Sequence, residues 1–151
     1  MTYAATTLAT ILLLLTSPSQ DAREVVTSIV TNIQRADYEG DRAALKRLHA
    51  QLMPFVADRE LASRTLYWRG FALWRRALNG FNDAADRNEI EEDLTQCVID
   101  FRQAWARDPA FVDAKVGAAS CLVNASFLKR KSDQTRAGEL FAESTACSTR
   151  R

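Results

Sequence analysis

The sequence is poor in the two residues that most often interrupt helices. It has five Gly and three Pro in 151 residues, too few for a sheet-rich fold with many tight turns. Hydrophobic residues make up 47% of the chain and charged residues 26%, which are ordinary values for a globular protein. Abundant Ala, Leu and Arg favour helices. The composition therefore predicts one all-α domain with a hydrophobic core of its own.

The sequence also lacks a charge bias and any catalytic signature. Twenty basic and nineteen acidic residues leave a formal net charge of +1, whereas nucleic-acid-binding proteins are usually strongly basic. The patterns HExxH, GxSxG, GxGxxG and the phosphate-binding loop are absent. The single histidine, His49, has no accompanying motif and is expected at the surface. We therefore predict a protein that is not an enzyme, uses no cofactor or metal ion, and binds no nucleic acid.

No charged residue occurs in the first twenty positions. An apolar run from Leu8 to Leu15 precedes the small polar stretch 16–19, a pattern typical of a secretory signal peptide, although the usual basic residue before the run is missing. The run is shorter than the ~20 residues of a permanent membrane span, so none is predicted. We predict a signal peptide over 1–19, a helical domain over 20–151, and a periplasmic or secreted protein. A hydrophobic N-terminal helix of the mature fold, or a misplaced start, is the alternative.

Three cysteines, Cys97, Cys121 and Cys147, form no CxxC or zinc-binding pattern. In an exported protein one disulfide would leave one thiol over. Cys97 lies on an apolar helix face and is expected to be the buried thiol, so Cys121 with Cys147 is the predicted pair. The three residues are equally compatible with small core positions, and both interpretations stay open.

Hydrophobic periodicity divides the chain after residue 20 into six helices. The first ends at Gly40, which suits a helix C-cap, and Asp41 is expected to cap the second, which Pro54 limits. The third runs from about Glu60 to Asn79 and has two adjacent apolar stripes, as expected for a helix that is buried on two sides. A polar connector over 80–87 follows it.

Asn88 and Glu91 resemble a capping box at the start of the fourth helix, which is expected to end at Asp108-Pro109. The fifth helix has a long apolar stripe and the sixth a shorter one. The stripe of the fifth helix consists of Val112, Val116, Ala119, Val123 and Phe127, and that of the sixth of Ala137, Leu140 and Phe141. The six helices are expected to form three helix–turn–helix units.

The fourth helix and the turn after it contain four residues at a characteristic spacing. Cys97, Phe101, Ala104 and Pro109 are separated by four, three and five residues. Gly70 supplies a small residue in the preceding helix. The segment from Arg64 to about Ser144 thus resembles the tetratricopeptide repeat family, which keeps small residues and aromatics at these intervals. The connection between Gly70 and Cys97 is longer than a repeat of about 34 residues allows, which predicts an irregular stack.

The resemblance implies a right-handed stack of about three hairpins, an α-solenoid, whose first helices line a groove that binds peptide segments. Nine residues would line that groove by their position in the repeats. They are Arg64, Tyr67, Phe71, Trp74, Arg75, Asp113, Val116, Ser120 and Asn124. Aromatic and arginine side chains would hold an extended peptide by stacking and by carboxylate–guanidinium pairing. The alternative is that the first hairpin covers Phe71 and Trp74 as core.

We therefore expect a non-enzymatic, exported scaffold that binds a protein or peptide partner. The main alternative is an accessory or structural subunit of a larger envelope complex, and oligomerisation would favour it. A small-molecule carrier or an enzyme is the third interpretation. Its usual sign is a polar pocket with perturbed residues, and the sequence shows no such pattern.

Overall fold

The computed structural model describes residues 20–149, and within this range it consists of helices without a strand. The helices are α1 (Gln20–Glu39), α2 (Arg42–Gln51), α3 (Ala62–Asn82), α4 (Arg87–Arg107), α5 (Val112–Lys129) and α6 (Gln134–Thr149), with a short 3₁₀ turn (Met53–Phe55) after α2. This confirms the predicted all-α class. The predicted signal peptide lies outside the described residues. None of the described helices has both the length and the apolar composition needed to cross a bilayer.

Local capping chemistry sets the boundary between the first two helices, as the sequence predicts. Gly40 has a φ of +69°, a left-handed conformation that glycine adopts at little cost, and it separates α1 from α2. The Asp41 carboxylate accepts the backbone N–H of Ala44 at 2.8 Å, which satisfies one of the free donors at the start of α2. The fourth helix also ends before Asp108, as expected.

The connector predicted over 80–87 is shorter than expected, because α3 continues into this segment. Asp86 is the N-cap of α4, since its carboxylate accepts the backbone N–H groups of Asn88 and Glu89. The predicted capping box that begins at Asn88 is therefore wrong. Gly80, expected to lie outside α3, lies inside it, where it is buried and lets α3 and α4 approach closely.

Two hydrophobic cores share α3. One core joins α3 to α4, α5 and α6, and the other joins α1 and α2 to α3. Phe71 packs against both cores, in agreement with the prediction that α3 is buried on two sides. Successive helices contact each other, and α3 also contacts α1 and α5. Contacts therefore connect the hairpins to one another as well as the two helices within each hairpin.

Phe101 of α4 is fully buried and lies where three helices meet. A Cβ atom added to Gly70 of α3 would lie 3.0 Å from the Phe101 ring, and one added to Gly117 of α5 would lie 2.6 Å from it. Both distances are shorter than an ordinary carbon–carbon contact of about 3.5–4.0 Å. The two glycines therefore allow α3 and α5 to pack directly on the aromatic ring.

Only part of the apolar stripe predicted for α5 is buried, since Ala119 is buried and Val123 is half-buried. Val112, Val116 and Phe127 are 62%, 57% and 52% exposed. The buried face has smaller side chains because α5 packs closely against both α4 and α6. Its main residues are Ala114, Gly117, Ala118, Cys121 and Leu122. Three large apolar side chains of α5, Val112, Val116 and Phe127, therefore stay at the surface, whereas Leu122 and Leu128 are buried.

The disulfide joins Cys97 of α4 to Cys121 of α5, with the two Cα atoms 6.5 Å apart. The predicted pairing of Cys121 with Cys147 is therefore wrong, and Cys147 is the free thiol. Its sulfur lies 3.8 Å from the carbonyl oxygen of Lys115.

Candidate functional site

A groove with a volume of about 550 Å³ lies between α3, α5 and α6. We call it the Trp74 groove. Its lining comes from one residue of α3, five of α5 and five of α6, and none of these residues is charged. They are Trp74; Val116, Ala119, Ser120, Val123 and Asn124; and Phe141, Ser144, Thr145, Ser148 and Thr149. The groove is therefore an apolar surface with small polar residues, and it is large enough for the side chains of a bound segment.

Four of the nine predicted groove residues line the Trp74 groove. They are Trp74, Val116, Ser120 and Asn124. Trp74 is half-buried and also packs against the core formed by α3 to α6, so the core and groove interpretations of this residue both describe part of its surface. The regular spacing of three α5 residues at four-residue intervals places Val116, Ser120 and Asn124 on one face of that helix.

Three further predicted residues, Arg64, Tyr67 and Asp113, gather near Phe111, just before α5 begins. The Arg64 guanidinium lies 3.9 Å from the centre of the Phe111 ring, and the Tyr67 ring centre lies 4.9 Å from it. Burial and the Asp113 carboxylate raise the pKa of Tyr67, whereas Arg64 acts in the opposite direction. The phenol is therefore neutral at physiological pH. These residues form a separate aromatic cluster, and none of them lines the Trp74 groove.

The remaining two predicted residues face the first hairpin. Phe71 is half-buried and packs against both cores, so for this residue the core interpretation describes the structure. The Arg75 Nε donates a hydrogen bond to the Asp37 carboxylate of α1 at 2.6 Å. Arg75 is thus engaged in holding α1 against α3. Neither Arg64 nor Arg75, the two arginines predicted to bind a peptide, lines the Trp74 groove.

The sixth helix supplies the part of the groove that the sequence analysis missed. Phe141 is 56% exposed, and Thr145 and Ser148 follow it on the same face at helical spacing. From the sequence, Phe141 is predicted only as part of the apolar stripe of the sixth helix. The Ser and Thr residues at 144, 145, 148 and 149, which follow Phe141 at helical spacing, are the feature of the sequence that could have indicated a groove-lining face on α6.

The polar side chains of the groove are largely satisfied within their own helices. Ser120 Oγ donates to the Val116 carbonyl at 3.0 Å, and the Asn124 side-chain amide donates to the Ser120 carbonyl at 2.8 Å. Thr145 Oγ1 likewise donates to the Phe141 carbonyl at 3.2 Å. What the groove offers to a partner is therefore apolar contact area, which includes the exposed side chains of Val116 and Phe141.

A buried charged cluster, which the sequence analysis also missed, links α3 to α4. Arg76 Nη1 donates to both carboxylate oxygens of Asp93, at 2.7 and 2.6 Å. About two helical turns away, Arg69 Nε lies 3.6 Å from the Asp100 carboxylate. All four side chains are less than 9% exposed. Their common seven-residue spacing, on two helices that run in opposite directions, was the signal in the sequence.

Two residues of α2 extend this cluster to the first hairpin. His49 Nε2 lies 3.0 Å from the Asp100 carboxylate, and its side chain is only 16% exposed. The predicted surface position of His49 is therefore wrong, because the tertiary fold brings Asp100 against it. Arg42 donates to Glu89 at 2.7 Å. Hydrogen bonds from Arg42 and from Arg76 lower the pKa of Glu89.

This cluster connects three helices, and none of its side chains lines the Trp74 groove. Removing one partner of such a buried ion pair strongly destabilises a protein, because the other charge is left buried without a partner. Its role in the structure is therefore to fix how the first two hairpins dock. Within residues 20–149, no group of three or more His, Cys, Asp or Glu side chains is arranged to hold a metal ion.

Comparison of the whole chain with protein-family models, with curated proteins and with solved structures found no match.

Proposed function

We propose that this protein is an exported, non-enzymatic scaffold in which a tetratricopeptide-repeat-like stack of three hairpins binds an apolar segment of a partner protein in the Trp74 groove. The contacts of α3 with both α1 and α5 support the stacked arrangement. So does the position of Phe101 against Gly70 and Gly117, because small residues facing an aromatic allow neighbouring hairpins to approach.

The observation that carries the proposal is the exposure of large apolar side chains that line the groove together with Trp74. Val116 of α5 is 57% exposed and Phe141 of α6 is 56% exposed, and both line the same groove. An exposed apolar surface of this kind on a monomer usually marks an interaction site. Because the lining has no charged residue, the partner segment is expected to contribute aliphatic or aromatic side chains at helical spacing, as in helix-in-groove recognition.

Two observations support export. The first nineteen residues have the composition of a signal peptide, and a disulfide between Cys97 and Cys121 fits an oxidising compartment. If the chain is exported, the protein recovered from the periplasm or the medium should have the intact mass of a chain that begins at Gln20. A full-length mass in the cytoplasmic fraction would contradict this part of the proposal.

The groove is tested with a charge placed in it and a matched charge placed elsewhere. Val116→Glu puts a carboxylate in the groove, and Ile99→Glu puts one on α4, where the side chain is 41% exposed and lies outside the groove. Both positions are surface positions, so both variants should fold. A displayed library of random peptides would be selected on the wild-type protein, and the enriched peptides would be measured on all three proteins.

We expect peptides rich in apolar residues that bind the wild type and Ile99→Glu alike and bind Val116→Glu at least roughly tenfold more weakly, since a carboxylate buried by an apolar ligand is costly. Binding to the groove should also depend little on salt. Equal binding to all three proteins would place the contact on another surface. Equal loss in both variants would show that general charge, not the groove, determines binding.

A further inference from the structure

A second cavity, separate from the Trp74 groove, lies between the α3–α4 connector and the C-terminal end of α5. We call it the Phe127 pocket. Its volume is about 510 Å³, and it shares no lining residue with the Trp74 groove. Ile90 and Leu128, which are 2% and 6% exposed, form its floor. Phe81 and Phe127, which are 38% and 52% exposed, form its walls. The interior of the pocket is therefore apolar.

The remaining side chains at the pocket include three cations and no anion. Arg87, Arg130 and Lys131 all line the pocket, and no Asp or Glu does. Among residues 20–149, no carboxylate forms an ion pair with any of these three cations. The adjacent Lys129, by contrast, is paired with Glu91 at 2.7 Å. No direct ion pair within the described part of the chain therefore neutralises the positive charge of these three side chains.

Two of the cations are positioned by the pocket itself. Arg87 Nη2 donates to the Leu128 carbonyl, which holds the start of α4 against the end of α5. The Arg130 guanidinium lies 4.5 Å from the centre of the Phe127 ring, so its charge is held over the apolar wall. A carboxylate at the mouth would therefore meet guanidinium groups that are already oriented.

The connector that forms one wall of the pocket has an unusual backbone conformation. Ala84 has a φ of +51°, a left-handed conformation that is unfavourable for residues other than glycine. The backbone N–H of Ala85 donates to the Gly80 carbonyl at 2.9 Å and closes this turn. Both alanines line the pocket, and their short side chains leave the space open. Strained backbone of this kind is often found beside binding sites.

We propose that the Phe127 pocket binds a small amphipathic anion, an alkyl chain that ends in a carboxylate. The alkyl chain would cover Ile90 and Leu128, and the carboxylate would pair with Arg130 and Lys131. A cationic or very short ligand would satisfy only one of these two features. A membrane surface fits less well, because a flat bilayer does not reach the buried floor formed by Ile90 and Leu128.

The test is a calorimetric titration of the folded chain with decanoate, below the concentration at which decanoate forms micelles. Butyrate lacks the long chain and decyltrimethylammonium lacks the negative charge, so these two compounds test each feature separately. The pocket variant combines Arg130→Gln with Lys131→Gln. Its control, with the same change in charge, combines Lys46→Gln with Arg107→Gln, two exposed cations outside the pocket. Circular dichroism would verify that each variant is folded.

We expect saturable binding of decanoate at a single site of the wild-type protein. The pocket variant should bind decanoate roughly tenfold more weakly, since hydrogen bonds to charged groups contribute substantially to affinity. The control variant should bind decanoate as tightly as the wild type. Phe127→Ala should also weaken binding while leaving all three cations in place. Val116→Glu should leave it unchanged, so that this result is independent of the Trp74 groove.

Several outcomes would overturn the proposal. Equal weakening in the pocket variant and its control would show diffuse attraction by net charge. Butyrate that binds as tightly as decanoate would show that the apolar floor is not used. If the protein binds vesicles of phosphatidylglycerol but not decanoate, this surface is a membrane contact instead. If it binds neither, the pocket does not have the proposed function.

Discussion

The same substitution, Gly→Ala, is expected to have opposite effects on stability at Gly138 and at Gly117. Both residues lie within helices, α6 and α5 respectively. A Cβ atom at Gly138 would have no neighbouring atom within 4 Å, whereas a Cβ atom at Gly117 would lie 2.6 Å from the Phe101 ring. The chemistry of the change is identical, so any difference reports on the tertiary contact.

The magnitudes follow from two effects. In a helix interior Ala is more favourable than Gly by about 1 kcal/mol, so Gly138→Ala should raise the free energy of unfolding by about that amount. At Gly117 the same gain is opposed by overpacking, which costs about 1–3 kcal/mol. We use the upper end because the ring is confined by three helices, which gives a net loss of about 2 kcal/mol. Gly70→Ala, with its Cβ at 3.0 Å from the ring, should fall between the two.

Urea denaturation followed by circular dichroism would measure these values, with Phe101→Leu added to the Gly117→Ala protein as a double-mutant test. If the loss comes from contact with the ring, the smaller and more flexible Leu should make Gly117→Ala less harmful than it is in the wild-type background. Gly117→Ala that is as stabilising as Gly138→Ala would refute the proposed arrangement of α3, α4 and α5 around Phe101.

Three further predictions concern single features of the fold. Replacing both Cys97 and Cys121 by Ala removes a disulfide that spans 24 residues and should lower the free energy of unfolding in urea by about 3.5 kcal/mol. A peptide map of the unreduced wild-type protein should find these two residues joined. A map that joins Cys147 to either of them would contradict the structure. Ala84→Gly removes the steric cost of a left-handed backbone at alanine and should raise the free energy of unfolding in urea by about 1 kcal/mol. A lower free energy of unfolding would mean that the turn has another conformation. Glu89→Gln should reduce stability at pH 7, because hydrogen bonds lower the pKa of this carboxyl in the folded state. The difference in the free energy of unfolding between variant and wild type should shrink as the pH falls below about 4.3. A difference that is constant with pH would show that the charge of Glu89 does not contribute to stability.

Features of the fold that depend on short stretches of chain were predictable. Gly40 and Asp41 mark the first helix boundary by the preference of one residue for a left-handed backbone and of the next for capping. The apolar face of α4 was also predictable, because its large side chains recur at helical spacing and are the buried ones, including Leu94 and Phe101.

The same reasoning did not work for α5, and the cause is physical. Where α5 packs against α4 and α6 it buries mostly small side chains, and Ala, Gly and Cys contribute little to hydrophobic periodicity. The strong apolar signal of Val112 and Val116 therefore came from the exposed face, and the buried face at Ala114 and Ala118 gave a weak signal. This reversal is what leaves an apolar groove at the surface.

The amino-acid sequence by itself determined the all-α class and the six helices, because both depend on local propensity and on spacing along single helices. Only the tertiary structure decided which residues far apart in the chain become neighbours. It brings His49 to Asp100, joins Cys97 to Cys121, and engages Arg75 with Asp37 and so keeps it out of the groove. These contacts depend on how whole helices dock against each other, and no single stretch of sequence specifies that arrangement.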